Sequence, residues 1–144
     1  MTDLDEALRA GAGGMLADQA AVELLIRAGG FVHRGAPWIR ESGAAAFVDP
    51  EALLRESGGL GGGARRIAAV AAALLGGERV DLVDAASGLD RASLDLVLAA
   101  IAHAGGSHES AEPVLVGGEL VGFSTPASLH PWPGEQGVTA PAPM

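Results

Sequence analysis

Chemistry in this chain would have to come from four histidines, scattered serines, nine arginines and eighteen acids, because cysteine, lysine and tyrosine are absent. His103 and His108 flank Gly105-Gly106, with Glu109 beside them, while His33 and His130 lie far away in sequence. A metal site needs three or four ligands at set distances. The spacing here matches no helical or hairpin ligand pair, so no metal is expected. Nucleophilic catalysis has no Gly-x-Ser-x-Gly elbow to start from. Ser87, Ser107, Ser124 and Ser128 sit in turn-like text, where serine serves backbone hydrogen bonds. The acid pairs Asp3/Glu6 and Asp81/Asp84 read as first-turn or solvated carboxylates. An enzyme therefore ranks last of three functional classes.

The glycine run Gly58–Gly63 precedes Arg65 and Arg66, which makes that pair a candidate anion contact at a helix N-terminus. Gly59-Leu60-Gly61-Gly62-Gly63-Ala64 fits a G-x-G-x-x-A string. A dinucleotide fingerprint must follow a strand, however, and residues 50–57 read as a helix. A flexible joint is the better reading, and no cofactor is expected.

Composition bounds the class. With 144 residues the chain fits one domain. The 49% apolar content includes twenty-nine alanines, so the large core side chains are few. The absence of cysteine excludes disulfides and thiol chemistry. Lysine, asparagine and tyrosine all have AT-rich codons, so their absence reads as a GC-rich bacterial coding sequence. No apolar run is long enough to span a bilayer. The acidic start Asp3-Leu4-Asp5-Glu6 is unlike a secretory signal, so a cytoplasmic location is expected. The net charge of −9 is uneven: residues 105–144 carry four glutamates and no base, while residues 29–66 carry a slight positive excess. Nucleic-acid binding rests on clustered base, so it is not expected.

The elements follow from punctuation and period. Helices are predicted over 3–10, 15–28, 50–57, 64–75, 81–86 and 91–104, most of them stopped by glycine. The second has its apolar face at Val22, Leu25, Ile26 and Gly29. Asp49 before Pro50 and Asp90 before Arg91 are N-cap signals. Segment 31–48 reads as irregular short strands, and Val114–Phe123 as a hairpin turning at Gly117-Gly118. Residues 124–144 hold five prolines and read as a tail anchored by Trp132.

Residues 64–123 follow the order of a winged helix-turn-helix: helix, short helix, turn, helix, hairpin. The text Val80-Asp81-Leu82-Val83-Asp84-Ala85-Ala86-Ser87-Gly88-Leu89-Asp90-Arg91-Ala92-Ser93-Leu94 resembles bacterial regulators of that class. The resemblance implies that Val83, Leu89, Leu94 and Val97 pack its helices, and that Arg91 and Ser93 would meet DNA. Residues 80–105 also resemble small uncharacterised actinobacterial proteins, which implies a source and no activity.

The expected fold is a mainly α, small helical domain with minor β. It divides into a half over 1–57, a winged-helix-like half over 64–123 and a Pro-rich tail over 124–144. The expected function is a cytoplasmic, non-enzymatic protein-interaction or regulatory module, with Phe123, Trp132 and Trp38 as interaction residues. A winged-helix DNA-binding regulator is the alternative, and a small-ligand binder or enzyme the third reading. The expected partner is a protein, a second copy included, through helix 15–28 or 64–75. Leu98 and Ile101 are expected to pack on Ile67 and Leu74.

Overall fold

The computed structural model describes residues 3–135, in the order α1 (Asp3–Ala12), α2 (Leu16–Ala28), β1 (Ile39–Ser42), β2 (Ala45–Val48), α3 (Pro50–Glu56), α4 (Gly62–Gly76), α5 (Leu82–Ser87), α6 (Arg91–Ala104), β3 (Glu112–Val116) and β4 (Glu119–Ser124). It is a mainly α domain with two antiparallel hairpins, β1–β2 and β3–β4.

Helix α2 is the centre. It packs on α1, α4 and α6. Three neighbours bury most of its circumference, so Ala20, Ala21, Val22, Leu24 and Leu25 are all inside. The expected single face at Val22, Leu25 and Ile26 was too narrow: Leu24 is fully buried, and Ile26 only half-buried. Small side chains let helices approach closely, and Ala20, Ala21, Ala71, Ala72, Ala99 and Ala100 all have almost no exposure. One core cluster runs from Leu4 to Trp132 and is not divided at the glycine run.

Local signals placed most boundaries. Asp49 caps α3, its carboxylate accepting from the amides of Glu51 and Ala52, and Pro50 occupies the first turn. Asp81 and Asp90 cap α5 and α6 in the same way, through the amides of Asp84 and Ser93. Gly77 ends α4 in the left-handed conformation.

Tertiary contact overruled the pattern in several places. Helix α1 does not break at Gly11 but runs to Ala12. The reason is the packing of α1 on β2. A Cβ on Gly11 would stand 2.0 Å from the Ala46 carbonyl oxygen, so only glycine permits that approach. Segment 31–48 contributes one regular hairpin, with Ile39 opposite Val48 and Ser42 opposite Ala45. Its buried anchor is Trp38, whose indole N–H donates to the Phe31 carbonyl at 2.9 Å.

The expected burial of Leu98 and Ile101 is corrected. They are 43% and 50% exposed. Helix α6 lies mainly on α2 and turns Val97, Ala99 and Ala100 inward. The leucine stripe therefore faces away from the core. Val83 is corrected too. It is 77% exposed, and Ala85 is the only residue of α5 that is buried. Helices α2 and α4, expected at a dimer interface, are packed within the chain, α4 against α2, α3, α5 and α6.

Candidate functional site

Residues 124–135 cross back over α2 and α6 instead of leaving the domain. Trp132 is buried at 6% exposure. Arg27 of α2 sits over its ring, 4.9 Å from the centroid, and also donates to the Pro133 carbonyl and the Glu135 carboxylate. Ser107 Oγ accepts from the Leu129 amide at 3.1 Å and lies 3.2 Å from Ser128 Oγ. His130 Nε2 bonds the Asp95 carboxylate on α6. The tail expectation thus holds at Trp132, but the segment around it is tied down. Residues 136–144 lie outside the described residues.

Under this segment lies a cleft of about 430 Å³, lined by Glu23, Arg27, His103, His108, Ser128 and Trp132 among others. A neighbouring hollow of about 220 Å³ shares Glu23 and His103 and adds Arg9 and Gln19. Glu23 holds two guanidinium groups. Arg9 Nε donates to it at 2.6 Å and Arg27 Nε at 3.4 Å. That bond to Glu23 is the main cause of the raised Arg9 pKa. His103 and His108 stack with centroids 4.3 Å apart. His103 Nε2 lies 2.8 Å from Gln19 Oε1, a carbonyl acceptor, which assigns the proton to Nε2. Burial, and then the charge of His108, hold His103 below the ordinary histidine pKa.

The cleft is rich in polar groups, yet most of them are spent on one another. Among the described residues no serine hydroxyl bonds a histidine ring; Ser107 and Ser128 bond each other and the backbone. No group of three metal-donor side chains comes together among the described residues. His108 Nδ1 is enclosed without a hydrogen-bond partner among the described residues. Arg27, His103 and Asp95 hold this segment on α2 and α6 through Trp132 and His130.

The second candidate surface is β3–β4. Glu112 pairs with Ser124, Pro113 with Phe123, Val114 with Gly122, Leu115 with Leu120 and Val116 with Glu119. The shift between Val114 and Leu115 leaves Val121 as an extra residue, a bulge. Without it, Leu120 and Phe123 would point to opposite faces. With it, Pro113, Leu115, Leu120 and Phe123 share one face. Gly117 and Gly118 both take positive φ in the two-residue turn, as the sequence signal required. Among the described residues, no other helix or strand packs substantially on the hairpin. Its apolar face is open, with Phe123 at 67% exposure.

The remaining candidates fall in different places. Phe123 is on the open face, while Trp132 and Trp38 are interior. Arg66, a candidate anion contact, is turned to α5: it donates to the Asp84 and Gly88 carbonyls and pairs with the Asp84 carboxylate at 3.2 Å. Arg65 is exposed. Arg91 is exposed at the start of α6, and the Ser93 amide is occupied by the Asp90 carboxylate. The bond to that amide holds Asp90 below the usual carboxylate range. The sequence missed Arg27, Gln19, Asp95 and His130, which no spacing signal connects. It also missed the bulge. Leu120 and Phe123, both apolar and three apart in a strand, were the available hint.

Compared with protein families, with curated proteins and with solved structures, the chain matches none.

Proposed function

We propose that this chain is a non-enzymatic protein-interaction module of the cytoplasm, and that the β3–β4 hairpin is its docking element. The observation that carries the reading is the exposed apolar face of Pro113, Leu115, Leu120 and Phe123, on a ribbon that no other helix or strand among the described residues covers substantially. A lone two-stranded hairpin is marginally stable in water, so a partner that covers that face supplies what the ribbon lacks. Large exposed apolar patches mark interaction sites. No helix among the described residues is long and apolar enough to cross a membrane.

A photo-crosslinking residue in place of Leu120 tests this in cells that make the protein. The expected product is a crosslink to a polypeptide, absent when the probe replaces Arg65. Crosslinks to nucleic acid alone, or none at all, refute the reading.

A winged-helix DNA-binding regulator remains the second reading, supported by the order α4, α5, α6, β3–β4. Against it stands charge: Asp90 and Asp95 lie at the start of α6, Glu119 lies on the hairpin, and Arg91 alone opposes them. The expected outcome is no duplex binding at physiological salt. A sequence-specific gel shift, abolished by Arg91→Ala, would establish that reading instead.

A further inference from the structure

We propose that residues 125–135 form a strap that lies closed over α2 and α6 while His103 is neutral, and that lifts from them, with the helical body intact, when His103 takes up a proton.

The strap has little to hold it. Among residues 125–135 only Trp132 is buried. The ties around that anchor run through side chains. Arg27 reaches the Pro133 carbonyl and the Glu135 carboxylate, His130 reaches Asp95, and Ser107 Oγ accepts from the Leu129 amide. A segment with one buried anchor and polar ties near the surface opens locally, at a lower free energy than the whole domain.

His103 stands where that opening is felt. Its ring bonds Gln19 of α2, stacks on His108 from the loop after α6, and lies 6.3 Å from the Trp132 ring of the strap. The cleft between body and strap has Glu23, Arg27, His103 and His108 on one wall and Ser128, Trp132 and Glu135 on the other. Lifting the strap removes the second wall and brings water to both imidazoles.

The charges facing His103 come from three sides. From α2 there is Glu23, shared between Arg27 and Arg9 of α1. From the loop come His108 and Glu109, and from the strap Glu135, which Arg27 holds. The three glutamates favour a charged His103. Burial and the charge of His108 outweigh them, so its pKa in the closed form is lowered. Opening ends the burial and lets the two rings part, while it takes away only one glutamate of the three. The open form therefore binds the proton more tightly, and acid shifts the balance towards it. One proton moves that balance by at most about tenfold per pH unit. His130 acts in the opposite sense, because a proton there strengthens its pair with Asp95. Those side chains are 34% and 36% exposed, so water screens the pair.

Amide NMR on the full chain, titrated from about pH 7.5 to about pH 5, tests the proposal. The Trp132 indole N–H and the Leu129 amide should move together towards random-coil positions below about pH 6.5. The ratio of open to closed strap should rise at least roughly threefold and at most about thirtyfold across that range. The amides of Leu24 and Ala71, in the core of α2 and α4, should stay native. His103→Gln keeps a side-chain amide donor for Gln19 and cannot titrate, so its strap should stay closed throughout. A wild-type strap still closed at about pH 5 overturns the proposal. So does a single transition that takes the helices with it. An unchanged transition in His103→Gln also overturns it, and places the titration at His130 and Asp95. If His103→Gln leaves the strap open at every pH, His108→Gln decides. It removes the neighbouring charge, so the transition should shrink by at least roughly half, and an undiminished one overturns the proposal.

Discussion

Gly11→Ala puts the packing of α1 on β2 to a direct test. In an isolated helix the change is stabilising, because glycine is worse than alanine in a helix interior by about 0.5–1 kcal/mol. Here the new Cβ would stand 2.0 Å from the Ala46 carbonyl oxygen and 3.2 Å from Phe47 Cδ1. An ordinary carbon–oxygen contact is at least ~3.3 Å. The helix and strand must therefore part by more than 1 Å, and the obstacle is backbone, which cannot rotate away. Leu8, Ala12, Ala46 and Val48 are buried around this region and lose contact as it opens. Overpacking costs about 1–3 kcal/mol, and a backbone clash belongs at the upper end. After the helix-propensity gain, a net loss of about 2 kcal/mol is expected. Urea unfolding reads this as a lowered midpoint at unchanged slope. Gly63→Ala is the control: nothing lies within 4 Å of its Cβ and its φ is not positive, so a gain of up to about 1 kcal/mol is expected. If Gly11→Ala were as stabilising as Gly63→Ala, α1 would not lie on β2 as described.

Leu98→Ala should cost less than ~1 kcal/mol in the monomer, whereas Val97→Ala, at a buried position, should cost more; equal losses in urea unfolding would contradict the orientation of α6. His103 makes stability depend on pH. The folded pKa of His103 is lowered, so below the unfolded value of about 6.5 the unfolded chain binds more protons. Stability is then full above that value and falls as pH drops, until the folded form protonates too. His103→Gln should flatten the fall of the thermal midpoint as pH drops below about 6.5, and an unchanged slope would assign it elsewhere. Arg27→Met removes the guanidinium from the Trp132 ring and from Pro133 and Glu135. It should red-shift tryptophan fluorescence and cost about 1 kcal/mol; a blue or absent shift would mean that Trp132 is held without it.

The positions of the helices were legible because their signals are local. A carboxylate at Asp49 or Asp90 reaches amides only two or three residues on, and that geometry exists before any tertiary contact. Gly117-Gly118 likewise specifies its turn by its own backbone freedom. The orientation of the helices was not legible. In α6 the larger side chains suggested one face through Val97, Leu98 and Ile101, but of these only Val97 is buried, together with the alanines Ala99 and Ala100. An alanine gives up little apolar area, so its burial leaves a weak periodic signal. What it offers is close approach, and only the neighbouring helix can use that. The same holds for Gly11, which reads as a break until β2 lies against it, and for the cleft. Arg27 and Trp132, or Gln19 and His103, are about a hundred residues apart or nearly so in the chain. Nothing in their local text links them. They meet because α2 is central and the segment after β4 folds back across it, a choice made by the burial of Trp132.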